Sequence, residues 1–264
     1  MNSTKDDFPW WLLLTAGVGL YLGWQVWQDE GSARIFATLA KGAWITIFVT
    51  LIAFGGATLI GLVVAMGSLS RYLIFRQIAR LYIEVFRGIP ILVLLLYVAF
   101  VFAPALVALA NWVLSPFDPD PIRTRDFSFL WRAVLALLIS YSAYIAEVFR
   151  AGILSVERGQ IEAAEALGLT RWQRFVLIIL PQAIRTMLPP LGNFFIAMVK
   201  DSSLVSVLGV ADLTGIARTT AAGNFQYFET YNILTYIYLS MTITLSLGLR
   251  WIEQRINSRP QPSG

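Results

Sequence analysis

Six stretches of this chain carry almost no charge, and each is near the length a helix needs to cross a hydrocarbon core, about 20 residues. They are 8–28, 42–70, 88–117, 127–146 with Arg132 near one end, 183–199, and 230–249. Trp10, Trp11, Trp24 and Trp27 flank the first, as in the aromatic belts at membrane interfaces. The third reads as a span followed by an interfacial stretch from about Pro104. Pro189 and Pro190 lie inside the fifth, so it should be kinked or broken there. One lysine and two aspartates precede 8–28 and no small-x-small site follows it, so it reads as a retained helix and not a signal peptide.

Composition excludes most other classes. Hydrophobic residues make up 57% and charged residues 14%, against about 25% charged in an average soluble domain. A soluble globule of this size has no room to hide that much apolar surface. The absence of cysteine removes disulfides and thiolate metal sites. The absence of histidine removes the commonest general base and zinc ligand, so neither a catalytic nor a metal site is expected. The net charge is +4, but the basic residues do not gather on one face as a nucleic-acid surface requires. They lie between the apolar runs. Arg71, Arg76 and Arg80 follow span two; Arg150, Arg158, Arg171, Arg174 and Arg185 surround the segment between spans four and five; Arg250, Arg255 and Arg259 follow the last. Positively charged loops stay cytoplasmic. Six spans so oriented place both termini in the cytoplasm. The fold class is all-α, a polytopic membrane helix bundle.

The segment 151–181 is the informative one. Residues 160–167 are good helix formers, and Gly168 is a natural C-terminal stop because glycine accepts the left-handed conformation. Thr170 can cap a second helix, with Gln173 three positions on to complete a capping box. Pro181 then opens the next span. The pattern reads helix, tight turn, helix.

This segment resembles the cytoplasmic coupling loop of ABC importer permeases, through Glu162, Ala163, Ala164, Gly168, Ile178, Leu180 and Pro181. Glu84-Val85-Phe86-Arg87-Gly88-Ile89-Pro90 is similar to a stretch of the polar amino-acid permeases of that family, with Ile89 in place of the usual threonine. Residues 143–150, 188–193 and 200–205 resemble later signatures of the same subfamily. The resemblance covers about 41–256. It implies a five-span type I importer core plus one extra N-terminal helix. The division is 1–40 for tail and accessory helix, 41–256 for the transmembrane domain, and 257–264 for a short cytoplasmic tail.

The resemblance also implies partners: two ATPase subunits docked on the coupling loops, a second permease, identical or homologous, and an extracytoplasmic amino-acid-binding protein. ATP and magnesium would belong to the ATPase, leaving no cofactor on this chain. The setting would be the inner membrane of a prokaryote, with lipid around it and no nucleic acid. The chain itself has no Gly-x-x-x-x-Gly-Lys-Ser/Thr phosphate loop, so force must cross a protein interface. Glu162 would meet a basic group on the partner, Ala163 and Ala164 would allow close approach, and Gly168 would set the angle.

Candidate pathway residues are Tyr144, Glu147, Asn193, Lys200, Asp201 and Ser203. Glu147 fits two readings equally, a snorkelling interface residue or a group facing the pathway. Lys200 and Asp201 either pair with each other at the outer surface or stand near a gate. Asn193 either serves backbone groups freed by the proline pair or lines the path. Arg87 reads as an anchor at a helix start, and Tyr141 and Tyr144 as packing residues. For a zwitterionic substrate, helix termini exposed at Pro189–Pro190 would take the carboxylate and Glu147 the amino group. A secondary transporter would need ionisable groups deep in the spans, which most of these spans lack. A scaffold would not need the helix–glycine–helix loop.

Overall fold

The computed structural model describes residues 28–114 and 121–257, with residues 13, 17–21, 23 and 24 before them. Of the expected first span, 8–28, twelve of the 21 residues lie outside the described residues, as does the tail beyond Asn257. Among the described residues, five helical stretches are long and apolar enough to cross a membrane: Glu30–Ser68, Ile91–Leu114, Phe129–Leu154, Arg171–Leu208 and Tyr227–Arg255. Each overlaps one of the other five apolar runs.

α1 (Glu30–Ser68) begins well before its uncharged run because Asp29 caps it. The Asp29 carboxylate accepts bonds from the Ser32 N–H and hydroxyl, both at 2.8 Å. Further along, Ala53, Ala57, Gly61 and Ala65 recur every four residues, all buried. Such small residues let membrane helices approach closely, where dispersion must replace the hydrophobic drive. The partner is α5 (Phe129–Leu154). A Cβ on Gly61 would stand 2.8 Å from Ile145 Cγ2 and 3.0 Å from the Ser142 carbonyl, so a larger residue would push these two helices apart.

α2 (Leu73–Gly88) occupies what the sequence presented as a basic loop, and Ile89–Pro90 separates it from the second span. That span is α3 (Ile91–Tyr97), a π turn (Val98–Phe102) and α4 (Ala103–Leu114) in one continuous run. Pro104 therefore does not begin an interfacial stretch; it lies inside the span. The π turn absorbs it. The Ala103 N–H donates to the Val98 carbonyl, five residues back. The Ala99 carbonyl would next take position 104, but proline has no N–H to give. Arg132 fills the gap: its guanidinium donates to the Ala99 carbonyl at 2.9 Å, to the Phe127 carbonyl at 2.7 Å, and to the Thr124 carbonyl. The same group lies 4.8 Å from the Phe129 ring centre. This buried arginine is a backbone clamp.

After α5 come α6 (Arg158–Ala166) and α7 (Arg171–Arg174), a second π turn (Phe175–Ile179) and α8 (Leu180–Asp201). The second π turn also ends two residues before a proline, Pro181. α8 runs unbroken through Pro189 and Pro190, correcting the expectation of exposed helix ends there. A 3-10 turn (Ser202–Leu208), α9 (Leu213–Asn224) and α10 (Tyr227–Asn257) complete the described chain.

The start of α9 is fully satisfied. Leu213 N–H donates to Thr46 Oγ1 of α1 at 3.2 Å, and Thr214 and Gly215 N–H donate to the Asp212 carboxylate at 3.2 and 2.9 Å. Thr214 Oγ1 meets the Tyr238 hydroxyl of α10 at 2.9 Å. Asp212 is fully buried, and burial raises its carboxyl pKa to about 6 against the backbone bonds and Arg218, which lower it.

Two outcomes follow from these contacts. Arg132→Leu should cost on the order of 3 kcal/mol, because a buried carbonyl left unpaired costs about 1–3 kcal/mol. Pro104→Ala should recover about 1 kcal/mol in that background by restoring an N–H. Detergent unfolding midpoints of the four forms check this, and additive effects would contradict the clamp. For Asp212, the folded pKa lies above the unfolded one, so its stabilising contribution is present below about pH 4 and lost as pH rises through about 6. The stability of the parent relative to Asp212→Asn should therefore fall across that interval and level off above it.

Candidate functional site

The loop between the third and fourth described spans is built by local chemistry. At the end of α6, Gly168 adopts φ +76° and nothing would crowd a side chain there, so the demand for glycine is conformational. Its N–H donates to the Glu165 carbonyl at 2.9 Å, and the Leu169 N–H to the Ala164 carbonyl at 3.1 Å. This is the Schellman arrangement. Across the turn Thr170 and Gln173 form the expected capping box: Thr170 N–H donates to Gln173 Oε1 at 2.9 Å, and Gln173 N–H to Thr170 Oγ1 at 3.3 Å. An Arg174–Glu165 ion pair at 2.8 Å spans the elbow. Gln182 of α8 donates to Gln160 of α6 at 2.6 Å, joining the elbow to the following span.

The expected docking residues divide. Glu162 and Ala163 are exposed, while Ala164 is buried against this chain. Pro181 lies two residues past the π turn in a helical run that is continuous from Arg171, so its missing N–H falls inside a helix, as at Pro104. Sequence reasoning overlooked Leu167 and Trp172, which flank the turn and are 79% and 72% exposed. Trp172 stacks on Phe175 at 6.1 Å, which holds it outward in one orientation. The signal was present: two large apolar residues beside a glycine turn outside the membrane runs.

A second group of side chains lies within the bundle. The Tyr141 hydroxyl donates to Asp201 at 2.7 Å, joining α5 to the end of α8. Asp201 is thus held by a tyrosine, and no ion pair joins it to Lys200, which is exposed. Tyr141, Tyr144 and Phe194 form an aromatic triangle with ring centres 5.8–6.3 Å apart. The Arg87 guanidinium lies 5.6 Å from the Tyr144 ring centre. Arg87 in turn lines a cavity of about 560 Å³ with Arg80, Glu84, Glu147 and Arg150. These charges come from the α2 face at 80, 84 and 87 and the α5 face at 147 and 150, spacings of three and four that a helix places on one side.

Glu147 faces this cavity, but Arg150 already holds it through two bonds, at 2.8 and 3.2 Å. It is therefore a paired carboxylate, not a free receptor for an amino group. Asn193 is exposed and, among the described residues, makes no side-chain hydrogen bond, so it does not serve the backbone near the prolines. Ser203 lies in the 3-10 turn, where its carbonyl accepts from Ser206 Oγ at 2.7 Å. Tyr144, Asp201 and Glu147 thus fall along one track, with Tyr141, Arg87 and Phe194 between them; Asn193 and Lys200 are not tied into it.

Residues 57–261 match the family described as binding-protein-dependent transport system inner membrane component. The chain is 37% identical over 218 residues to the glutamine transport system permease protein of Escherichia coli (strain K12), covering 83% of this chain and 92% of that one. It is 35% identical over 234 residues to a probable amino-acid permease protein of Bacillus subtilis (strain 168), covering 89% and 96%. Among solved structures it resembles an amino acid ABC transporter crystallised with histidines, at TM-score 0.71 and 38% identity over 84% of this chain and 96% of that chain. A methionine ABC transporter in inward-facing form shares the fold at TM-score 0.64 and 19% identity, over 86% and 99%.

Gly168→Ala should cost on the order of 1 kcal/mol, the penalty of an L side chain in the left-handed region. Amides 168 and 169 should then exchange about fivefold faster by hydrogen–deuterium exchange. Gly168→Asn should exchange closer to the parent, since asparagine tolerates that conformation. Equal rates in the parent and the alanine form would refute the conformational demand.

Proposed function

The chain belongs to the family of binding-protein-dependent transport system inner membrane components, and from that premise we propose that it imports polar or charged amino acids as the transmembrane subunit of an ATP-driven transporter. The observation that carries the reading is the elbow at 158–174. It is fixed by a Schellman turn, a capping box and an ion pair, and it offers Glu162, Ala163, Leu167 and Trp172 to a partner. A rigid body seated in a partner cleft transmits a displacement without deforming. Two ATPase subunits, which bind the ATP and magnesium, would drive it in a complex with a second permease, identical or homologous. An extracytoplasmic binding protein would deliver the substrate.

Amino acids as the cargo are supported by the relatives, which carry glutamine and amino-acid names across most of their length. Within the bundle, Tyr141, Tyr144, Phe194 and Asp201 are read as the wall of the pathway. The Glu147–Arg150 pair and Arg87 would stand at its inner mouth. The hydrogen bond that Tyr141 donates to Asp201 fixes the carboxylate, and the aromatic rings line the path.

The test is copurification and uptake in the assembled transporter. Leu167→Asp and Trp172→Ala should lower both ATPase recovery and binding-protein-stimulated ATP hydrolysis at least tenfold, while the permease keeps its detergent unfolding midpoint. Unchanged coupling in both variants would refute the docking role. Uptake that persists without ATP and stops with an ionophore would refute the ATP-driven reading.

A further inference from the structure

α2 has its polarity turned inside out relative to a helix on the surface of a soluble protein. Its charged side, Arg80, Glu84 and Arg87, lines the inner cavity. Its outer side carries Ile74, Ile78, Leu81 and Val85, a stripe at helical spacing that is 71%, 60%, 66% and 43% exposed. A surface helix in water shows the reverse, with charges outward and the aliphatic stripe against the core. A third edge of α2 fastens it to the bundle. Ala79 and Ile83 are buried there, Ile83 packs with Ala65 of α1 and Ala146 of α5, and the Tyr82 hydroxyl meets Ser142 Oγ at 2.6 Å. The outward stripe is therefore fixed in its direction and is not a consequence of a loosely placed segment.

We propose that α2 is inserted in the membrane as a wall between lipid and water: the Ile74–Ile78–Leu81–Val85 stripe seats against acyl chains, while Arg80, Glu84 and Arg87 face the water of the inner cavity. The stripe continues the apolar surface of the two spans that α2 joins. Val63 and Met66 near the end of α1 and Leu92 and Val93 at the start of α3 are exposed in the same way. At about 1.5 Å per residue, the 16-residue helix is about 24 Å long, too short to cross, so it enters from its Arg71–Tyr72 end and leads into the second span through Ile89–Pro90. Its start carries an interface marker. Arg71 lies 4.7 Å from the Tyr72 ring centre, and Tyr72 meets Phe75 edge-on, the cation and aromatic pairing of a headgroup level. Thus a segment that the hydropathy of the chain presents as a cytoplasmic loop is part of the lipid-facing surface.

The chain has no cysteine, so single cysteines report without a background. Ile74→Cys, Ile78→Cys, Leu81→Cys and Val85→Cys, with Arg80→Cys and Glu84→Cys, are labelled with a nitroxide in the whole transporter in liposomes. Labels at 74, 78, 81 and 85 should collide severalfold more with oxygen than with a water-soluble nickel chelate, and labels at 80 and 84 the reverse. A bimane on Ile78→Cys or Val85→Cys should lose most of its fluorescence to dibrominated acyl chains. Aqueous accessibility at all six positions would overturn the proposal, as would absence of quenching. Strong dipolar coupling between labels at 78 on two copies would overturn it in favour of a second copy of the chain on this face. None of these readouts depends on the identity of the cargo, so an error in the transport reading leaves this result standing.

Discussion

Every peptide group inside a bilayer must find its partner within the chain, because hydrocarbon offers none. The bundle can be understood as the set of devices that meet this demand where prolines and helix ends break it. Pro104 deprives Ala99 of a donor, the ladder widens into a π turn, and Arg132 reaches from the neighbouring span to complete it. A π turn recurs two residues ahead of Pro181. At the start of α9, the first donors of the helix are taken by Thr46 and Asp212. The buried charge of Arg132 is costly alone, and it persists because three carbonyls share it.

The same economy explains where charges stand. Glu147 and Arg150 neutralise each other at the cavity, and the charges of α2 turn toward it instead of toward the surroundings. Ile83 of α2, packed with Ala65 of α1 and Ala146 of α5, and the Tyr82–Ser142 bond bring the two charged faces to one place. Beyond the membrane the elbow is held differently, by caps and a single ion pair that span few residues. It is tied to the bundle through the Gln182–Gln160 bond and the buried Ala164.

The elbow was legible in advance because capping is local: Gly168, Thr170 and Gln173 dictate their own geometry wherever they occur. The span positions were legible for the same kind of reason, since absence of charge over a fixed length is a property of the segment. The proline pair misled because its cost was weighed as in an isolated helix, whereas α8 continues through it within the bundle. Glu147 and Asp201 were found as residues but not as partners. Their mates, Arg150 three positions on and Tyr141 sixty positions back, differ in how visible they are: the first follows helical spacing, and the second needs the fold.

Sequence by itself determined five of the spans, the elbow and the family, since these rest on length, local capping and fixed spacing. Tertiary structure alone decided that Arg132 serves Ala99, that Tyr141 holds Asp201, that Ala164 turns inward, and that α2 presents its aliphatic side outward. Each of those depends on which helix faces which, and that choice is made by the summed packing of whole faces, which no single segment encodes.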